Sequence, residues 1–454
     1  MRWTGYHSAP RPWRWAPDLM PNLTEQRPDA TLPGSGAWNR LRPPGWVEEI
    51  LLAIAAGIVA YLASCLVEPA RSNPHGFGLQ WRDMSEQPFA FLGQLPHRML
   101  TPLLAHLVGL GGDSFTDFTR LSGAVMLALV FYVCRARGAL RLDAMLITLA
   151  ISFTGAIQIY KRGMIGYCDN VGFALFALGW LARRRGFVFW PLFFFNLVNH
   201  DMAAFFLPWM WFLRREVGAL RRWDAIGAGL VLFVYYLFRL YVAKHAASWE
   251  YDEGYFLANC FLPFHFVWIW FLAGCHLLLQ FGPMLTVLVW HSWQARPERE
   301  RLGTALILLG MGGVFCFAYD VHRHSNLIFL PIAFASTRFL TDLRSRAAYL
   351  FLIALQIWNY REFVWQPESE DPWDFQSPGW LFDNLTGTMV MANEGHRLIL
   401  PQYRFDLSVQ YDLITKSLPM LQREFVAMAF GVLAIVAVSR WLVRKNVGGP
   451  RWAA

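Results

Sequence analysis

Ionisable side chains that could carry chemistry are concentrated in four short stretches of an otherwise apolar sequence. Arginines beside carboxylates suit a phosphate-bearing substrate, because a guanidinium binds phosphate oxygens bidentately and a carboxylate can accept a proton from an attacking hydroxyl. The candidates are Asp83, Glu86 and Arg98; Lys161, Arg162 and Asp169; His200 and Asp201; and Asp320, His322, Arg323 and His324.

Two of these carboxylates are candidate catalytic residues. Asp83 and Glu86 lie in the polar stretch QWRDMSEQP, and either can act as a general base if an acceptor hydroxyl lies within hydrogen-bond reach. Glu68, directly after the first apolar run, is the alternative. A solvated loop with incidental charges would have the same composition, so both interpretations of this stretch stay open.

The cations have functional and structural interpretations. Arg98 opens the amphipathic stretch RMLTPLLAHLVGL, where it either binds a phosphate or anchors the chain at the membrane surface. Lys161 and Arg162 lie on the predicted outer side, against the trend of basic residues, which favours a substrate-binding role. Asp169 either contacts the substrate or caps the helix that follows it.

The stretch YDVHRH is the densest ionisable cluster in the sequence. Phosphate binding by Arg323 with a neighbouring histidine is the interpretation that we favour, and an interfacial structural role is the alternative. Asp320, His322 and His324, together with His200, could instead hold a metal ion, although their spacing matches no established metal motif. We therefore predict no cofactor, with a divalent metal as the alternative.

The composition of the chain indicates an integral membrane protein. Of its 454 residues, 56% are hydrophobic and 16% are charged, whereas a soluble domain carries about 25% charged residues. Several apolar runs approach the roughly 20 residues that cross a bilayer as a helix. The net charge of +8 is spread in short clusters between these runs, which favours membrane-proximal loops over nucleic-acid binding.

Apolar runs and arginine clusters together predict an all-α polytopic membrane protein with both termini in the cytoplasm. Residues 1-46 form a Pro/Arg-rich tail that we predict to be disordered, residues 47-364 form the membrane core with an outer loop at 68-119, residues 365-424 form a second outer loop, and residues 425-454 form the last transmembrane helix and a tail. We predict about ten full transmembrane helices plus one short membrane hairpin.

The hairpin prediction depends on the polar triplet NHD at 199–201, in the middle of the apolar stretch 187–213. Arginines flank this stretch on both sides, at 183–185 and at 214–215. One continuous helix would put one arginine cluster on the outer side, whereas two half-length helices keep both clusters inside. The polar triplet then forms the hairpin tip, where it either caps a helix start or forms the floor of an outer cavity.

In its layout the sequence resembles the GT-C superfamily of glycosyltransferases, which are polytopic membrane enzymes that use polyprenyl-phosphate sugars at the outer face of the membrane. The resemblance loosely covers residues 47-364. It lies in the acids and LPHRMLTPLLAHL after the first span, in GYCDNVGFALFALGWLARRR with the hairpin FFFNLVNHDMAAFFLPWMWFL, and in DVHRHSNLIFLP.

The resemblance implies an acidic catalytic base in the first outer segment, which corresponds here to Asp83, with Glu86 or Glu68 as substitutes. It also implies basic residues that hold the lipid phosphate, and the matching residues are Arg98, Arg162 and Arg323. Many members of the superfamily carry paired acids close behind the first span, whereas this chain has separated acids.

The expected function is an integral-membrane glycosyltransferase of the bacterial plasma membrane. It would transfer a sugar from a polyprenyl-phosphate donor to an acceptor hydroxyl at the outer face. Its partners would be the lipid-linked sugar, membrane lipid and a glycan, lipid or protein acceptor, without nucleic acid. The alternatives are a membrane transporter or lipid-linked-sugar flippase, and an outer polysaccharide polymerase or ligase.

Overall fold

The described part of the chain is built from helices. The computed structural model describes residues 45–70, 77–93, 95–162, 165–246, 267–294, 298–315, 323, 325–359 and 421–447. Within these ranges 86% of the residues are helical and none lies in a β-strand. From Trp46 onward they belong to one unit. The predicted tail up to residue 44 and nearly all of the predicted loop 365-424 lie outside the described residues.

Fifteen α-helices are described, numbered here in chain order. They are α1 (Trp46–Val67), α2 (Phe77–Glu86), α3 (Leu100–Leu107), α4 (Phe115–Ala136), α5 (Arg141–Ser152), α6 (Gly155–Arg162), α7 (Asp169–Ala182), α8 (Gly186–Asn199), α9 (Leu207–Glu216), α10 (Arg222–His245), α11 (Val267–Gln294), α12 (Glu298–Phe315), α13 (Phe329–Phe339), α14 (Leu343–Asn359) and α15 (Gln422–Val447). Short 3-10 helices include Asp201–Phe206, between α8 and α9, and Ser325–Ile328, before α13.

Several of these helices are long and apolar enough to cross a membrane. Within the described residues four qualify by length and composition, and a fifth qualifies if the bent pair α5 and α6 counts as one span. The predicted count of ten is therefore not confirmed. The four are Val47–Val67, Gly112–Ala136, Arg222–His245 and Gln422–Trp441.

Ionic contacts gather several helix ends on one side of the molecule, which we call the basic side. Arg135 at the end of α4 binds Glu49 at the start of α1, with Nη2 and Oε1 3.0 Å apart. Arg141 at the start of α5 contacts the same carboxylate. Asp143, also in α5, binds Arg346 at the start of α14 at 2.6 Å. Helices α1, α5 and α14 therefore start on the side where α4 ends.

The chain folds back between α8 and α9, as the flanking arginines predict. Arg214 near the end of α9 donates from Nη1 to the carbonyl oxygen of Arg183 at 2.9 Å, just before α8 begins. Arg214 also donates from Nη2 to Asp224 at the start of α10 at 3.2 Å. The hairpin 186–216 therefore begins and ends on one side. Its helices have 14 and 10 residues, or about 21 and 15 Å at 1.5 Å per residue.

Two helix breaks meet inside the bundle. Helices α5 and α6 are inclined by 46° to each other, so the apolar stretch 141–162 is broken between them. Helix α11 has non-helical backbone angles at Gly282, directly before Pro283. Gln356 of α14 donates from Nε2 to the carbonyl oxygens of Phe153 and Gln280, at 3.3 and 3.0 Å. One side chain thus satisfies a carbonyl near each break, which an apolar environment requires.

Close packing of α1 on α4 gives the first prediction. A Cβ atom at Gly57 would lie 2.5 Å from the carbonyl oxygen of Ala124 and 2.7 Å from the amide nitrogen of Ala128, so Gly57→Ala must push the two backbones apart. We expect a loss of about 1–3 kcal/mol in the free energy of unfolding, measured as a lower thermal midpoint in detergent. Gly229→Ala on α10 is the control, since nothing lies within 4 Å of its added Cβ. Equal midpoints for the two variants would contradict this packing.

Candidate functional site

A cluster of polar side chains lies on the side opposite the basic side, where α7 starts and α8 ends. Its members come from the segment before α3, from α7, from the tip of the hairpin 186–216, from α10 and from the segment before α13. We call it the polar cluster, and it consists of His97, Arg98, Asp169, His200, Asp201, Arg239 and Arg323.

Asp201 is the centre of one half of the polar cluster. Its Oδ1 atom accepts a hydrogen bond from Arg98 Nη2 at 2.8 Å, and its Oδ2 atom lies 3.4 Å from Arg239 Nη1. His97 Nε2 lies 3.5 Å from Oδ2, and His200 Nδ1 lies 3.4 Å from Oδ1. Four basic side chains from three parts of the chain therefore meet on one carboxylate at the hairpin tip.

Asp169 and Arg323 form the other half. Arg323 donates to Asp169 Oδ2 from Nε at 3.2 Å and from Nη2 at 2.9 Å. The Arg323 side chain is 1% exposed and that of Asp169 is 5% exposed. The guanidinium group also lies over the ring of Tyr167, 4.6 Å from its centroid, which adds a cation–π contact. This pair ties the start of α7 to the segment before α13.

His200 joins the two halves. Its Nε2 atom lies 3.4 Å from Arg323 Nη2, while its Nδ1 atom faces Asp201 and the backbone N–H of Met202. Nδ1 accepts the hydrogen bond from the Met202 N–H at 3.3 Å, and Nε2 also lies 4.0 Å from Asp169 Oδ1. These contacts join the two halves of the polar cluster into one network.

Asn199 holds the hairpin tip in place. Thr101 of α3 donates to Asn199 Oδ1 at 2.5 Å, and Asn199 Nδ2 donates to the carbonyl oxygen of Cys168 at 3.0 Å. Asn199 is fully buried, so these bonds are made without competition from water. They fix the end of α8 against α3 and against the start of α7, next to Asp169.

Five of the candidates from the sequence analysis come together in the polar cluster. They are Arg98, Asp169, His200, Asp201 and Arg323. Asp169 is the first residue of α7 and binds Arg323, and no side-chain bond from it to the helix start is described. The side chain of Arg162 and the residues Asp320, His322 and His324 lie outside the described residues.

Asp83, Glu86 and Lys161 lie elsewhere. Trp81 of α2 is buried against Tyr167, with ring centroids 5.2 Å apart, on the side facing the polar cluster. Asp83 lies two residues later, about 200° around the helix, and Glu86 is about 140° from Trp81 on the same count. Both carboxylates are exposed, and Asp83 accepts hydrogen bonds from its neighbour Arg82. The predicted catalytic acids are thus turned away from the cluster.

Lys161 donates hydrogen bonds to backbone carbonyls at the end of α1. Its Nζ atom donates to the carbonyl oxygens of Ser64 and Glu68 at 2.9 and 2.8 Å. These carbonyls belong to the last turn of α1 or follow it, where a cation is favourable for the helix dipole. The described contacts of Lys161 are therefore structural, and none of them joins it to the polar cluster.

Two members of the polar cluster were not among the sequence candidates. Arg239 is the only charged residue of α10 between Asp224 and Lys244, and a charge inside an apolar helix is a recognisable signal of function. His97 directly precedes Arg98 and is 4% exposed at its side chain. The sequence offers no comparable signal for His97, because a single histidine outside a long apolar run is not unusual.

The polar cluster has a surplus of positive charge. In the described ranges, three guanidinium groups face two carboxylates. Burial lowers the pKa of His97 to about 4 against the opposing effect of Asp201, so His97 is neutral near pH 7. Arg98 is buried, and within the part of the chain that the structure describes its Nε atom has no hydrogen-bond partner. A surplus of one positive charge suits an anion. Among the described residues no group of three or more His, Cys, Asp or Glu side chains could hold a metal ion.

Comparison with protein-family models, curated proteins and solved structures finds no match to this chain. The interpretation of the polar cluster therefore depends on its own chemistry.

The buried His97 gives a prediction about acid stability. It lies between α2 and α3, outside the spanning helices, and it faces Asp201, Arg98 and Arg239. Below pH about 6.5 the unfolded chain takes up a proton at this histidine, whereas the folded chain does so only near pH 4. This histidine therefore does not lower the free energy of unfolding above pH 6.5, whereas acidification to pH 4 lowers it by about 3 kcal/mol.

This dependence is measured as the thermal midpoint in detergent between pH 7.5 and pH 4. We expect His97→Gln to flatten the decline. Exposed His106, on α3, provides the control, and His106→Gln should retain the wild-type profile. A wild-type profile for His97→Gln would show that His97 is not held neutral by the fold.

Proposed function

We propose that this chain is an integral-membrane glycosyltransferase that moves a sugar from a polyprenyl-phosphate donor to an acceptor hydroxyl. The observation that carries the proposal is the buried polar cluster with its arginine surplus, at one end of a helical bundle with membrane-spanning helices. A lipid-linked sugar phosphate is an anion that reaches such a site from within the bilayer. The arginines of the cluster are suited to hold it.

The proposed reaction uses the charge surplus directly. The acceptor oxygen attacks the anomeric carbon, and the bond between that carbon and the phosphate oxygen breaks. The acceptor proton passes to a carboxylate, and the phosphodiester, with one negative charge, leaves as a phosphate monoester with two. Arg98 and the partly exposed Arg239 would bind this developing charge, which is the form of stabilisation that contributes most to such reactions.

The general base in this proposal is Asp83 or Glu86 rather than Asp201. Protonation of Asp201 would remove the counter-charge of Arg98 and Arg239, so its contacts favour a permanently ionised carboxylate that positions the arginines. Asp83 and Glu86 are exposed to solvent and free of contact with the polar cluster's cations. Because both carboxylates are turned away from the cluster on α2, the proposal requires that α2 rotate in the donor complex and bring one of them within hydrogen-bond reach of the acceptor hydroxyl.

The membrane arrangement is part of the proposal. We place the basic side in the cytoplasm and the polar cluster toward the outer face of a bacterial plasma membrane, in accordance with the positive-inside rule. Both termini are then cytoplasmic, and the chain makes about ten crossings. A polysaccharide polymerase or ligase would use the same kind of donor and the same cluster.

Phosphate binding by Arg98 is tested with polyprenyl monophosphate, the product of the proposed reaction. We expect Arg98→Gln to weaken its binding to the purified protein about tenfold or more, because one charge-assisted hydrogen bond is lost. Arg239→Gln, at a partly exposed position, should act in the same direction. Arg120→Gln removes an arginine that pairs with Asp117 on α4 and serves as the control. Unchanged binding in both cluster variants, at unchanged thermal midpoints, would overturn the proposal.

The base is tested separately, in transfer from a panel of polyprenyl-phosphate sugars to acceptors in native membranes. We expect Asp83→Asn or Glu86→Gln to lower turnover about 100-fold or more while polyprenyl phosphate still binds. Full transfer by both variants would assign proton removal to another group. Absence of transfer by the wild-type protein with every donor would count against a glycosyltransferase.

A transporter or lipid-linked-sugar flippase is the second candidate function. The observation that favours it is the meeting of two broken helices at Gln356, since broken helices at membrane depth are common in transporters. Protein in vesicles with a fluorescent lipid-linked sugar distinguishes the two candidates. A flippase would move the lipid to the other leaflet without consuming it, whereas a glycosyltransferase would release polyprenyl phosphate.

A further inference from the structure

A cleft opens on the basic side of the molecule, at the other end of the bundle from the polar cluster. It lies among the ends of α4, α7, α9, α11 and α13 and the start of α12. Trp180 in its wall follows Asp169 of the polar cluster by eleven residues on α7, or about 16 Å along the helix. The cleft is therefore separate from the site of the proposed function, and nothing in that function uses it.

One carboxylate of this cleft contacts three basic side chains. Glu300 at the start of α12 accepts from Arg137 and Arg338, each at 3.1 Å to Oε1, and its Oε2 atom lies 2.9 Å from His291 Nε2. The pKa of Glu300 is lowered to about 2, mainly by the hydrogen bond from His291. Burial opposes this shift, and the charges of the two arginines add to it. Glu300 therefore stays ionised, and its charge is more than balanced.

The groups around the cleft carry a surplus of positive charge. Arg137 and Arg299 line it together with Glu216 and Glu300, and Arg183 lies within electrostatic reach of Glu216. With Arg338 on Glu300, four guanidinium groups face two carboxylates in the described part of the chain. Such a surplus attracts an anion.

Two of these arginines have guanidinium groups that the described residues only partly satisfy. Arg137 binds Glu300 through Nη2, and within the described part of the chain its buried Nε atom has no hydrogen-bond partner. Arg299 lines the cleft, and among the described residues no side chain pairs with it. Free guanidinium donors at the mouth of a cleft are the groups that bind phosphate oxygens.

The interior of the cleft is apolar and aromatic. Trp180, Trp209, Phe212 and Phe334 line it, and the Arg137 guanidinium lies over the Phe334 ring at 4.4 Å from the centroid. Trp180 and Trp209 are buried, so a ligand that fits both parts has a phosphate at the mouth and an apolar group against the outer edge of this lining. The mouth lies among helix ends, and the ends of membrane-spanning helices are where a membrane protein meets lipid headgroups.

We propose that this cleft binds the phosphate headgroup of an anionic membrane phospholipid, with Arg299 and Arg137 as its donors and the aromatic wall against its glycerol and acyl chains. The charge surplus decides for an anionic lipid over a zwitterionic one, because the second charge of a choline headgroup would face the arginines. This inference does not depend on the glycosyltransferase proposal.

The test uses the full-length protein in detergent, titrated with phosphatidylglycerol or phosphatidylcholine while the thermal midpoint is followed. We expect phosphatidylglycerol to raise the midpoint and phosphatidylcholine to have a much smaller effect. Arg299→Gln should weaken the apparent affinity for phosphatidylglycerol about tenfold, the equivalent of one charge-assisted hydrogen bond.

Arg301→Gln is the matched control, because Arg301 is on the same helix, about 200° away from Arg299, and bonds to the backbone of Trp293. This variant should bind phosphatidylglycerol like the wild type. Equal affinities for the two lipids, or equal losses in the two variants, would overturn the proposal. Stabilisation by soluble glycerol phosphate that depends equally on Arg299 would also overturn it, in favour of a soluble phosphate ester or nucleotide.

Discussion

The pairing of Arg98 with Asp201 is the interaction on which the arrangement of the polar cluster depends. A carboxylate that leaves water for an apolar interior costs several kcal/mol unless cations and hydrogen-bond donors surround it. The hairpin tip carries that carboxylate, so the segments bearing His97, Arg98 and Arg239 must converge on it. His200 extends the same requirement to Asp169 and Arg323, and the convergence of α3, α7, α8 and α10 follows from it.

Much of this organisation could be predicted from the sequence, because it depends on local composition. Apolar runs indicate helices, and arginine clusters at both ends of 187–213 indicate a chain that folds back. Ionisable residues are rare in such a sequence, so those at 98, 169, 200, 201 and 323 are recognisable as candidates from the sequence alone. Burying a charge in a membrane protein costs free energy, so an ionisable residue inside an apolar stretch usually has a functional role.

The remaining features depend on which way a side chain points from its helix and on contacts between residues far apart in the chain. Local composition contains neither. Asp83 is two residues from Trp81, yet the turn of α2 sends it outward while the indole is buried. Lys161 reaches the carbonyls that end α1, a contact between helices that no local pattern indicates. Gln356 is a single neutral amide in an apolar helix, and its role at two helix breaks is visible only when the breaks are in contact.

The length of α8 sets the depth at which the polar cluster lies. With 14 residues it rises about 21 Å from the basic side, whereas the hydrocarbon core of a bilayer is about 30 Å thick. If α8 starts at one boundary of that core, Asp201 lies roughly 10 Å below the other boundary. A water-soluble anion would have to lose its hydration to reach that level. An anion attached to a hydrocarbon chain loses the same hydration at that depth, but its chain holds it inside the bilayer next to the site, so tethering favours a lipid-linked ligand over a soluble one.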